Sequence, residues 1–119
     1  MITGLFAFTT IISLSYLIIG VLLIKYPPKN INSIIGYRTK KSSKNQEMWD
    51  FAQKLSGKIF RIMGIVNFVV VSSIILLFVN KQNVEDMFLI LAYCQIAELF
   101  VVILITEIKL KNKIRSISK

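Results

Sequence analysis

ITGLFAFTTIISLSYLIIGVLLI, residues 2–24, holds no charged side chain. At about 1.5 Å per residue it makes a helix of roughly 35 Å, longer than the roughly 30 Å hydrocarbon core of a bilayer. A secretory signal peptide is the competing reading, and it needs a basic start, a short apolar core and a small-residue cleavage site. This segment starts Met1-Ile2-Thr3, and its apolar part runs unbroken to Lys25. It reads as a retained membrane-spanning helix. Two further stretches meet the same criterion. Residues 62–79 carry no charge and residues 87–106 carry only Glu98, giving roughly 27 and 30 Å of helix. Composition agrees: 55% of the 119 residues are hydrophobic and 18% are charged, against about a quarter charged in a soluble domain. The expected fold is an all-α integral membrane protein of one domain, residues 1–119, with spans at 2–24, 61–79 and 87–106.

The net charge of +9 is segregated. Nine Lys and Arg lie between Lys25 and Arg61, five lie between Lys109 and Lys119, and only Lys81 separates the last two spans, beside Glu85 and Asp86. By the positive-inside rule the loop 25–60 and the tail 107–119 are cytoplasmic, and the N-terminus faces outward. Basic residues that flank spans are accounted for by orientation and by anionic lipid, so no direct nucleic-acid partner is expected. The tail, EIKLKNKIRSISK, reads as a cytoplasmic extension of the third helix that anchors on lipid or docks a soluble partner. The chain has no His and one Cys, Cys94, inside the third span. That excludes an intramolecular disulfide and leaves too few ligands for a zinc or redox centre. Phosphate loops, Ser/His/Asp sets and paired carboxylates are also missing, so neither an enzyme nor a cofactor is expected.

The loop is richer than a connection requires. Pro27-Pro28 ends the first helix. Asn32 suits a turn, and Gly36 permits a bend before Tyr37-Arg38-Thr39. Tyr37 suits the headgroup region, while the five-donor fork of Arg38 suits phosphate, carboxylate or backbone carbonyls. Arg38 has two readings, a contact with lipid phosphate or a recognition element. Ser43 and Gln46 have the spacing of a capping box. Beyond them Met48, Ala52, Leu55, Ile59 and Ile62, with Phe51 beside them, form an amphipathic stripe, and Trp49 falls on its flank as an interfacial anchor. This predicts a separate amphipathic helix along the cytoplasmic leaflet that turns into the second span near residues 57–61.

The order Asn32, Ile35-Gly36, Arg38-Thr39, Ser42, Asn45, Trp49 and Gly57-Lys58 resembles the SdpI family of bacterial membrane proteins. That family carries N-x-x-I-G-[aromatic or aliphatic]-R-T followed by Trp. One helix before the motif and two after it match as well, so the resemblance covers nearly the whole chain. It implies a multi-pass protein of the bacterial plasma membrane that acts by binding. The family includes an immunity protein that protects a Gram-positive bacterium from its own secreted toxic peptide and holds a transcriptional repressor at the membrane. On this resemblance Asn32, Gly36, Tyr37, Arg38, Thr39, Asn45 and Trp49 are the candidate binding residues, and a toxic peptide or a cytoplasmic regulator is the implied partner.

Glu98 is the other unusual residue. A carboxylate at a helix centre costs about 2.5 to 3.5 kcal/mol to insert, whereas the Leu, Ile, Phe and Val of this span return roughly 4 to 7 kcal/mol. The helix therefore inserts with Glu98 facing the bundle. Gln95 lies one turn earlier, and Tyr16 and Asn67 fall at matching depth on the other two helices, with Ser13, Ser72 and Ser73 nearby. A polar cluster of Tyr16, Asn67, Gln95 and Glu98 is expected. The alternative is that Glu98 serves as the proton or cation site of a homo-oligomeric small transporter, and a third reading is a structural subunit of a membrane complex.

Overall fold

The computed structural model describes residues 2–78 and 84–118. Within them are three helices: α1, Ile2–Lys25; α2, Gln46–Leu77; and α3, Val84–Ser118. Each is long and apolar enough to cross a membrane, so this is an all-helical, multi-pass membrane protein. No strand occurs among the described residues. Residues 79–83, which include Lys81, lie outside them.

The helix ends have local causes. Pro27 and Pro28 stop α1, whose last turn closes with Tyr26 N donating to Leu22 O at 2.8 Å. α2 is capped by Asn45, an extended residue (φ −158°, ψ 175°) whose Oδ1 accepts from Met48 N at 2.9 Å. That side chain satisfies one of the free amides of the first turn. The Ser43–Gln46 capping box is not formed. Ser43 N instead donates to Thr39 O at 3.0 Å, and Gln46 Nε2 reaches Lys29 O at 2.6 Å.

The separate amphipathic helix expected between the first two spans is not present. α2 runs unbroken for 32 residues, from Gln46 to Leu77. No proline interrupts it, and Gly57 is a packing contact rather than a hinge. A Cβ there would lie 2.9 Å from Leu23 Cβ and 3.0 Å from Gly20 O. The buried face also differs from the expected stripe. Met48 and Ala52 are buried as that stripe requires and Leu55 and Ile59 are half-buried, but Ile62 is 58% exposed, and Trp49, Gln53, Ser56, Gly57 and Phe60 are buried as well. In hydrocarbon a large apolar side chain gains nothing by leaving the lipid, so Ile62 stays outside while Gln53, Ser56 and Gly57 take interior positions.

The helices pack antiparallel in sequence order. Leu5, Val71, Ile75 and Leu91 form one end of the core. Tyr16, Leu23, Phe60 and Val102 form the middle, and Tyr37, Met48, Ala52 and Leu110 the loop end. α1 and α2 touch backbone to backbone: a Cβ on Gly20 would meet Arg61 N at 2.5 Å, and one on Gly64 would meet Ser13 O at 2.7 Å. Small residues at such crossings are the usual route to close helix packing in lipid. The molecule is 56 Å long, well beyond a hydrocarbon core of roughly 30 Å. Hence the polar first turns of α2 and the polar end of α3 project together on the loop side.

Candidate functional site

The loop 26–45 is not draped over the helices but fastened to them. At its start Trp49, fully buried, donates its indole N–H to Pro28 O at 2.6 Å. This corrects the expectation of an interfacial anchor. The indole is enclosed because the loop folds back over the first turn of α2, and its single donor finds a carbonyl there. Asn32 Oδ1 accepts from Ile34 N and Ile35 N at 2.9 and 2.7 Å, forming the expected turn.

At the middle of the loop Gln53 reads the backbone. Its Oε1 accepts from Tyr37 N at 2.7 Å, and its Nε2 donates to Tyr37 O at 2.8 Å. Gln53 is fully buried, so this pair of bonds replaces water for both groups. The approach requires glycine next door. Gly36 has φ +100°, and a Cβ there would stand 2.7 Å from both Gln53 Oε1 and Pro28 Cγ.

Tyr37 points inward rather than to the headgroups. Its ring packs with Met48, Ala52 and Leu110, and its hydroxyl donates to Glu107 Oε1 at 2.8 Å. Burial, reinforced by the Glu107 carboxylate, pushes the hydroxyl above its ordinary range and keeps it a donor. The other oxygen of Glu107 takes Lys41 Nζ at 3.4 Å. Thr39 and Ser42 bond reciprocally, Thr39 N to Ser42 Oγ at 2.8 Å and Ser42 N to Thr39 Oγ1 at 3.2 Å. Asn45 is consumed as the cap of α2. Arg38 stays exposed, and its guanidinium donates to Ser33 O.

Gln53 and Glu107 were missed by sequence reasoning. The signal for Gln53 was its place one turn after Trp49, which the stripe through Met48 and Ala52 had assigned to the polar side. Glu107 looked like one more residue of a charged tail.

The second constellation lies within the spans. Tyr16 Oη donates to Gln95 O at 2.5 Å. The Asn67 amide contacts Ser13 Oγ at 2.8 Å and Gln95 Oε1 at 3.0 Å. Turned over, it donates to both carboxylate oxygens of Glu98, at 3.0 and 3.2 Å. Gln95 Nε2 reaches Thr9 Oγ1 at 3.3 Å. Tyr16, Asn67, Gln95 and Glu98 thus share one site, joined by Ser13 and by Thr9. Thr9 was not expected because it lies two turns above Tyr16. Ser72 Oγ is buried without a partner, and Ser73 bonds back to Val69 O within its own helix at 2.7 Å; neither belongs to the cluster.

Between α1 and α3, under the loop, runs a groove of about 410 Å³. Ile19, Leu22, Leu23, Phe60, Leu99 and Ile103 form its walls, and residues 35–39 form its roof. Its lining is apolar apart from the loop, and Arg38 stands at its edge.

A family model described as the SdpI/YfhL protein family matches residues 29–106. The uncharacterized protein YfhL of Bacillus subtilis (strain 168) is 32% identical over 95 residues, which cover 80% of this chain and 78% of that protein. No solved structure matches. The matched region takes in the whole motif, Gln53 and every cluster residue on α2 and α3.

Proposed function

The chain belongs to the SdpI/YfhL protein family, and from that premise we propose that it acts by binding, as an immunity-type protein protecting a bacterial cell from a secreted toxic peptide. In this reading the loop and the end of α3 face the cytoplasm, as their basic residues favour. The supporting observation is the division of labour within the loop. Asn32, Gly36, Tyr37, Thr39, Asn45 and Trp49 are all used in holding the elbow together. Arg38 is the motif side chain turned outward, with one internal bond among its five donors. A fork held on a fixed backbone is the arrangement that recognises a carboxylate or a carbonyl array at little entropic cost.

The cluster around Glu98 supports a structural role better than a transport one. Glu98 meets the neutral amide of Asn67 from the same chain, and Tyr16, Ser13, Asn67 and Gln95 tie α1, α2 and α3 at one level. The test is protection. The chain is expressed in a sensitive bacterium and challenged with the killing peptide of a related strain, with membrane levels checked by blot. Wild type and Glu98→Gln are expected to protect and Arg38→Ala to fail. Absence of protection by wild type at normal expression overturns the reading. Loss with Glu98→Gln and survival with Arg38→Ala moves the function to the membrane carboxylate.

A further inference from the structure

We propose that the groove between α1 and α3 is a site for one anionic phospholipid, with an acyl chain between the helices and the phosphate on Arg38. This goes beyond the protective role and does not depend on it. Three features of the groove converge. The walls are apolar yet half open to lipid: Leu22 is 50% exposed, and Leu99 and Ile103 are close to 40%. The volume of about 410 Å³ lies in the range of small-molecule sites. A helix about 10 Å across would seat only about one turn in that space, whereas a flexible chain can follow it. At the edge, the Arg38 guanidinium keeps free donors, and exposed Lys40 follows it on the loop. Positive charge above an apolar slot, at the level where a span meets its loop, is the complement of a lipid phosphate above its own chain.

A second hollow of about 310 Å³, lined by Leu14, Leu17, Ile65 and Phe68 beside Gly64, supplies the contrast. It has comparable walls but no charged residue on its lining. Any chain in the bilayer fills it equally well. Selection by headgroup therefore belongs to the first groove and not to this hollow.

The test is native mass spectrometry of the full chain in mild detergent, titrated separately with phosphatidylglycerol and phosphatidylcholine of identical acyl chains. Wild type is expected to retain phosphatidylglycerol about fivefold better, the factor one well-placed cation contributes near an anionic surface. Arg38→Gln should lower its retention to the phosphatidylcholine level. Ile103→Trp, which fills the groove, should reduce both lipids, and Leu14→Trp, in the second hollow, neither, with helix content unchanged by circular dichroism. Equal retention of the two lipids by wild type, or an undiminished preference in Arg38→Gln, overturns the site. So does displacement of the bound lipid by glycerol phosphate without chains, which would leave only surface charge. Failure here with protection intact removes the lipid site alone. Failure of protection with the lipid preference intact removes the protective role alone.

Discussion

At the scale of the residue, Trp49 and Gln53 sit one turn apart on α2 and hold the two ends of the same elbow. Replacing Gln53 by Leu leaves the Tyr37 N–H buried without a partner and its C=O with only Ser42 Oγ at 3.2 Å, and such an orphan costs about 1 to 3 kcal/mol. Gln53→Leu is therefore expected to lower the thermal unfolding midpoint in detergent clearly, and an unchanged midpoint would contradict the clamp. Trp49 is the single tryptophan of the chain. Its emission should be blue-shifted and poorly quenched by acrylamide, as a fully buried indole requires. Among the cluster residues, Asn67→Leu should cost about 1 to 2 kcal/mol, since bonds between helices in lipid have that size. Glu98→Gln keeps the shape and an acceptor toward Asn67, so its midpoint should stay near that of wild type. Gly36 and Asn32 were legible as turn residues because their backbone demands are intrinsic. The inward turn of Tyr37 and Trp49 was not. Amphipathic rings suit a headgroup layer and a polar-lined interior equally well, and only the folded loop decides between them.

At the scale of the element, the three spans were legible because charge is expelled from hydrocarbon and the intervals between charges are long enough to count. The depth of the polar cluster was legible too, since rise per residue fixes the height of a side chain in a straight helix. The inner half of α2 was misread as a helix of its own. A stripe at helical spacing marks one face, and it does not say where the helix ends. Nor does it say which face is buried, because in a membrane the apolar side chains are content outside. α2 is continuous through Gly57, so amide hydrogens of residues 57–61 should exchange as slowly as those further along the span. Fast exchange there would restore a hinge. Gly20 is the sharpest packing test. A Cβ on it would meet the α2 backbone at 2.5 and 2.6 Å, so Gly20→Ala should cost about 1 to 3 kcal/mol of the kind overpacking imposes. Gly4 has nothing near it, so Gly4→Ala is the matched control and should be silent.

At the scale of the whole molecule, the loop ties α1, α2 and α3 together on one side through backbone carbonyls, a tyrosine and a carboxylate. Glu107 carries that tie on α3, with Tyr37 on one oxygen and Lys41 on the other. The Lys41 pair is partly exposed and worth at most about 1 kcal/mol, so the tyrosine is the stronger half of the tie. The family motif was legible as a pattern before the fold was seen. What it builds was not, because its partners, Gln53 and Glu107, lie outside the pattern, and Glu107 is distant in sequence. The central claim is that the motif builds a rigid elbow in order to present Arg38. Its most direct measurement pairs protection with thermal stability for Arg38→Ala. The account predicts an unfolding midpoint equal to that of wild type together with loss of protection against the toxic peptide. Full protection by Arg38→Ala at normal membrane levels would contradict it, and would leave the motif as scaffolding alone.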